Sequence, residues 1–168
     1  MGRNRFLKAT DTMTQCPLLK GTDTDTTMQC PNCDSEMQYK AYTHESRVGR
    51  RTVTDGTAMA CQCDKCGTVD LDWDTLAGLE RRAARVVLLE AKEVGGPELK
   101  FARKALGMRQ ADLAEALGSN VQQISRYEND DQIEMWLRLA VVALIDRVER
   151  GESLEGLGRT AGKLRLSA

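Results

Sequence analysis

A chain of 168 residues, 41% hydrophobic but only 4% aromatic, holds one ordinary domain or two small ones, and the lack of aromatic bulk favours two small cores. A formal net charge of −1 excludes the strongly basic balance of proteins that hold nucleic acid by charge alone, so any polyanion-binding surface must be sought face by face. No run approaches the ~20 apolar residues of a membrane span. No apolar segment follows the basic residues Arg3, Arg5 and Lys8, so neither an anchor nor a secretory signal is expected and a cytoplasmic location is.

In chain order, residues 1–27 are rich in Thr and Asp, show no periodicity and read as a disordered leader. Residues 28–73 form the first folded unit, with a strand-forming stretch from Met37 to Ala60 and turn signals at Gly49 and Asp55-Gly56. Two or three strands in one small sheet are expected, with His44 a surface strand residue. From 74 to 94, Leu76, Leu79, Ala83, Val87 and Val94 recur at helical spacing with Glu80, Arg81, Arg82 and Arg85 between them, and Asp74 stands as N-cap. Gly95-Gly96-Pro97 breaks this linking helix, which with its linker spans 74–96. Residues 97–150 then read as four or five helices, and 151–168 as a flexible tail. The fold class is α+β in two domains: a small zinc-ribbon-like β domain, a linking helix, and an all-α helix-turn-helix domain.

The six cysteines point to metal rather than disulfides in an intracellular setting. Cys30-Pro-Asn-Cys33 and Cys63-Asp-Lys-Cys66-Gly67 are two CxxC pairs. Each can turn tightly and aim both sulfurs at one ion, and together they close a tetrahedron of thiolates. One structural Zn²⁺ per chain is expected, with iron on the same sulfurs as the rival. The redox reading of CxxC lacks the βαβ context it needs. Cys61 neighbours the second pair but breaks its two-residue gap, and Cys16 falls in the leader and is taken as a free thiol.

The second signal runs from Gln110 to Glu128. Leu113, Ala114 and Leu117 face inward on one helix, and Gly118 ends it. Ser119 caps the next, which turns Val121, Ile124 and Tyr127 inward. This is the pattern of a helix-turn-helix whose second helix enters the major groove. Its outward residues are Asn120, Gln122, Gln123 and Arg126; Gln can pair with adenine and Arg with guanine. Gln122 also fits a capping box with Ser119, and Arg126 stands near Asp130. Gln110, Arg109 and Lys104 are candidate phosphate contacts. A helix over 133–149 carries a wide apolar stripe (Ile133, Trp136, Leu137, Ala140, Val141, Leu144, Val148) whose excess suits a homodimer. No catalytic constellation is legible, with one histidine, no phosphate-binding glycine loop and a closed metal site, so no enzyme activity is expected.

Taken together, Cys30-x-x-Cys33, Arg50-Arg51-Thr52-Val53, Cys63-x-x-Cys66, and Leu99 through Ser125-Arg126-Tyr127-Glu128 resemble the MqsA-type (YgiT-type) zinc-finger/helix-turn-helix antitoxins over residues 28–150, with an XRE-like C-terminal domain. The resemblance implies a zinc domain that binds a toxin, typically an mRNA-cleaving endoribonuclease, and a dimeric C-terminal domain that binds palindromic operators and represses its own operon. It implies base reading by an Asn and an Arg; Arg126 holds the Arg position, and Gln122 stands where the family has Asn. The alternative is a stand-alone zinc-containing transcriptional regulator with no toxin partner.

Overall fold

The computed structural model describes residues 28–154; the expectations for the leader, including Cys16, and for residues 155–168 of the tail lie outside the described residues. The elements are β1 (Gln38–Val48), β2 (Arg51–Gln62), β3 (Val69–Asp70), α1 (Trp73–Glu90), α2 (Gly96–Ala105), α3 (Gln110–Ala116), α4 (Val121–Tyr127) and α5 (Met135–Glu149). The strands form one sheet in the order β1-β2-β3, with β3 antiparallel to β2 and Cys61 opposite Asp70. The architecture is α+β, a small cysteine-bearing sheet followed by helices.

The compact units do not follow the linear order of the chain. Among the described residues, one comprises 28–42 and 59–72; the other comprises 43–58 and 73–154. In the first, Cys30, Met37, Cys61 and Cys63 are buried together, with Met28, Cys33 and Tyr39 packed against them. A core this small has little apolar area to stabilise it, which leaves the four-sulfur site as its natural staple.

The second unit contains the turn between β1 and β2. Gly49 opens it at φ +59°, a conformation glycine adopts without steric cost. Val48 is buried beside Ala83 and Val87 of α1, with Val53 and Phe101 packed around them. Glu98 of α2, itself 3% exposed, accepts hydrogen bonds from the Arg50 N–H and the Arg51 guanidinium, both at 3.3 Å, and from the Gly95 N–H at 2.9 Å. A Cβ on Gly49 would lie 2.3 Å from the Glu98 carboxylate. The expected turn at Asp55-Gly56 is instead continuous strand. Asp55 accepts from the Thr57 N–H and hydroxyl and pairs with Arg82 of α1 at 2.9 Å, so its polar side chain is used without breaking the strand.

The linking helix starts at Trp73, which puts Asp74 inside the first turn rather than at the cap. It also stops at Glu90, before Val94. Its C-terminal carbonyls are held by the buried Arg138 of α5, which donates to Leu88 O and Ala91 O at 2.7 Å each; a cation there also complements the helix dipole. Val94 is buried beyond the helix, in a core with Leu88, Leu99, Leu113, Ile124, Ile133, Leu137, Val141 and Ile145. Each such side chain contributes ~1.5–3 kcal/mol by leaving water.

Gly95-Gly96-Pro97 permits a close crossing. The Gly96 N–H donates to Asp130 O, and a Cβ at Gly96 would fall 2.2 Å from the Glu128 backbone carbon. Pro97 sits in the first turn of α2, where its missing N–H costs nothing.

Candidate metal centre and nucleic-acid interface

The two CxxC pairs fold into matching turns. In the first, the Cys30 N–H donates to Ser35 O at 2.8 Å and Cys30 O accepts from the Asp34 N–H at 2.9 Å. In the second, the Cys63 N–H donates to Thr68 O at 2.8 Å and Cys63 O accepts from the Gly67 N–H at 2.9 Å. The residue after each second cysteine takes a left-handed conformation, Asp34 at φ 55° and Gly67 at φ 74°; Asp and Gly reach that region at little cost. The same backbone bonds at the same offsets aim two pairs of sulfurs at one point.

All four sulfurs lie within 4.8 Å of one another. Cys30 is 3.4 Å from Cys66, and Cys33 is 3.5 Å from both Cys63 and Cys66. A tetrahedral ion bound at ~2.3 Å from each sulfur needs sulfurs about 3.8 Å apart, so the cluster has the size to hold one metal ion. Backbone donors surround it. Burial raises the Cys30 pKa, but the Asn32 N–H, the Thr68 hydroxyl and the neighbouring thiols outweigh it and bring it down to about 6. Hydrogen bonds from Ser35 lower Cys33. Cys63 receives the N–H groups of Cys66 and Lys65, yet burial and the adjacent Cys33 and Cys66 push it up to about 11. Without a cation, four neighbouring thiols do not all ionise. Cys61 is fully buried in the same small core, stands outside the four-sulfur set and is disulfide-bonded, so the expectation of metal rather than disulfides does not hold for it. His44 lies half-buried in β1.

The pairing of Asn32 with Thr68 was not legible in the sequence. The Asn32 amide donates to Thr68 Oγ1 at 2.9 Å, and the Thr68 hydroxyl lies 3.0 Å from Cys66 Sγ.

In the helical unit, α3 and α4 are joined by a turn through Gly118 at φ +62°. Leu113 and Ala114 are buried, and Ile124 is the fully buried anchor of α4. Two expectations fail at this turn. The cap of α4 is Asn120, whose side-chain oxygen accepts from the Gln123 N–H at 2.8 Å, one residue later than Ser119. The helix therefore starts later, and Val121 in its first turn is 41% exposed rather than inward. Tyr127 is half-buried and packs edge-on against Trp136, with ring centroids 6.1 Å apart.

An open concavity is lined by Asn120, Gln122, Gln123, Arg126, Asn129 and Asp130. These residues differ in what they have free. Asn120 commits its oxygen to the cap. Gln123 is held at both ends, since its Oε1 accepts from the Ser119 hydroxyl at 2.9 Å and its Nε2 donates to the Tyr127 hydroxyl at 2.8 Å. Gln122 and Arg126, one helical turn apart, are exposed and have no hydrogen-bond or ion-pair partner among the described residues; no Arg126–Asp130 pair forms.

The expected phosphate contacts are partly engaged. Arg109 is exposed but paired with Asp112 at 3.0 Å, which holds the Asp112 carboxyl below its usual range. The Gln110 amide donates to Glu128 at 2.7 Å. Lys104 is exposed.

That Glu128 contact belongs to a buried network that sequence reading missed. Glu128 (7% exposed) and Arg103 (8%) are both buried and joined by two hydrogen bonds of 2.5 and 3.2 Å. Arg103 also donates to Met108 O at 2.7 Å. This ties α2, the start of α3 and the end of α4 together. A signal was present: Arg103 interrupts an apolar stripe formed by Leu99, Ala102 and Leu106, and Glu128 follows the last inward residue of α4.

The helix-turn-helix family model matches residues 99–148, a span that contains α3, α4, α2 from Leu99 on and all of α5 but Glu149. No curated protein matches the chain. Residues 99–148 are therefore a helix-turn-helix DNA-binding module. Together with the four-cysteine cluster, they account for both motifs read from the sequence. No described helix is long and apolar enough to cross a membrane.

Proposed function

We propose that this protein is a zinc-containing transcriptional regulator that reads operator DNA with α4, acting as a homodimer. The observation that carries this reading is the pair Gln122 and Arg126. They project from the second helix of a matched helix-turn-helix with no partner of their own. An amide and a guanidinium one turn apart suit an adenine and a guanine in neighbouring base steps. Gln123, fixed by Ser119 and Tyr127, supports α4 beside them. The sulfur separations and the all-thiolate donor set suit a tetrahedral ion, which in this reading is Zn²⁺. Four protein ligands leave no open position for substrate, so the ion's role is structural, and no enzymatic activity is assigned.

Dimerisation rests on α5. Met135, Trp136 and Leu139 are 55%, 48% and 51% exposed, and Ala143 continues the same side one turn on. A second copy related by a two-fold axis would cover this face and set two α4 helices on half-sites one helical turn apart. The toxin partner implied by the resemblance is a separate proposal. Among the described strands β1 is an edge, and an edge strand can accept a partner's strand.

The test is DNA-binding selection on the full-length protein, followed by pull-down from its host. A two-fold symmetric site supports the regulator. A stoichiometric small ribonuclease in the pull-down adds the antitoxin role, and its absence leaves a stand-alone regulator. Failure to enrich any sequence would overturn the regulator reading itself.

A further inference from the structure

The four thiols are not equally accessible. Cys30 and Cys63 are buried, Cys33 is half-buried, and Cys66 is exposed. The exposed sulfur lies close to both sulfurs of the other turn, 3.4 Å from Cys30 and 3.5 Å from Cys33, whereas the buried Cys63 is within 3.5 Å of Cys33 alone among them. The Thr68 hydroxyl, oriented by Asn32, stands 3.0 Å from the same sulfur. It is placed to donate a hydrogen bond to an oxygen delivered there.

We propose that Cys66 is an oxidation site for peroxides, and that a thiolate of the first turn resolves the oxidised sulfur into a disulfide between the two turns, with release of the metal. The inference rests on the zinc reading given above. The Cys66 thiolate attacks one peroxide oxygen; the S–O bond forms as the O–O bond breaks and hydroxide leaves. Sulfur is oxidised by two electrons and the peroxide is reduced. The Cys30 or Cys33 thiolate then attacks the sulfenic sulfur; the S–S bond forms, the S–O bond breaks and a second hydroxide leaves. Two thiolates and one peroxide become one disulfide and two hydroxides. Two ligands are lost, and the remaining pair does not hold the ion in a closed tetrahedral site. The consumed ligands come one from each turn, so the product is a covalent staple between the turns where the metal had been. Exposure selects the first sulfur and proximity the second, because thiol oxidation follows access.

The experiment uses the full-length zinc-loaded protein, with metal content measured before oxidant is added. Hydrogen peroxide is titrated with a zinc-sensitive dye present, a sulfenic-acid trap is added to parallel samples, and modified peptides are mapped by mass spectrometry. The expected first adduct is on Cys66. Without the trap, the disulfide should join Cys66 to Cys30 or Cys33, one ion should be released per disulfide, and thiol reductant should reverse both. Because Cys66→Ser removes a metal ligand and can unfold the site, Thr68→Val provides the second variant. It retains all four sulfurs and should keep the metal but show slower Cys66 oxidation. A first adduct on any other cysteine, a Cys63–Cys66 disulfide, or zinc retained under excess peroxide would overturn the proposal. A protein purified without zinc would instead overturn the metal reading, before any oxidant is added.

Discussion

Replacing Glu128 by Ala is expected to be among the most damaging single changes in the helical unit. The substitution leaves the Arg103 guanidinium 8% exposed with its two carboxylate bonds gone and only the Met108 carbonyl still bonded. It also removes the acceptor of the Gln110 amide. Breaking a buried ion pair by removing one partner costs about 3–5 kcal/mol, because the surviving charge is left uncompensated. For a domain of this size each kcal/mol lowers Tm by roughly 4–8 °C, so the unit should melt tens of degrees earlier or fail to fold at 37 °C. The double variant Arg103→Met/Glu128→Leu removes both charges and should recover a large part of that loss. The assay is urea unfolding of the zinc-loaded protein followed by helical circular dichroism. A loss under about 1 kcal/mol for Glu128→Ala, or a double variant no better than the single one, would refute the claim that this pair is a desolvated structural link.

The same carboxyl sets a pH dependence. Burial raises the Glu128 pKa, but the hydrogen bonds from Arg103 and Gln110 and the charge of Arg103 outweigh it and hold it below its ordinary value. A folded-state pKa below the unfolded one means stability is fully present above the unfolded carboxylate range and is lost as pH falls from there through the lower folded-state pKa; acid unfolding of wild type should show this step, and Glu128→Gln should lack it. Gly96→Ala should cost stability and shift α4, since its new Cβ would meet the Glu128 backbone at 2.2 Å; proton–nitrogen spectra unchanged around residues 124–131 would argue against that crossing. Removing metal with a strong chelator should unfold residues 28–42 and 59–72 while α2–α5 keep their helical signal. Hydrogen exchange resolved by segment checks this, with uniform protection as the contrary result. Leu139→Glu should convert a dimer to a monomer in sedimentation experiments without loss of helix, because the charge would be buried at the proposed two-fold face.

Much of this was legible in the residues. Cys30-x-x-Cys33 and Cys63-x-x-Cys66 announce a four-sulfur cluster because a two-residue gap suits a tight turn, and the structure brings all four together. Leu113, Ala114, Gly118 and Ile124 announce the helix-turn-helix for similar reasons. The misses lie where local rules compete. Both Ser119 and Asn120 are good caps, and only the backbone geometry of the turn decides between them. That one-residue shift turned Val121 outward. Asp55-Gly56 is a good turn dipeptide, but Thr57 and Arg82 satisfy Asp55 within the strand. The Arg103–Glu128 pair is 25 residues apart in sequence, and no periodic pattern encodes such a partner. The grouping of residues 43–58 with the helices depends on tertiary contacts of Val48 and Glu98 that local sequence does not reveal.

The central claim, that α4 reads bases through Gln122 and Arg126, is tested most directly by in vitro selection from random duplex DNA at fixed salt. The wild type, Gln122→Ala and Arg126→Ala would be compared. The account predicts a two-fold symmetric wild-type site with two specified base pairs in each half that the variants relax one at a time. Arg126→Ala should lose about 1–3 kcal/mol of discrimination per half-site while its helical signal is unchanged. A wild-type site retained in full by Arg126→Ala would contradict it.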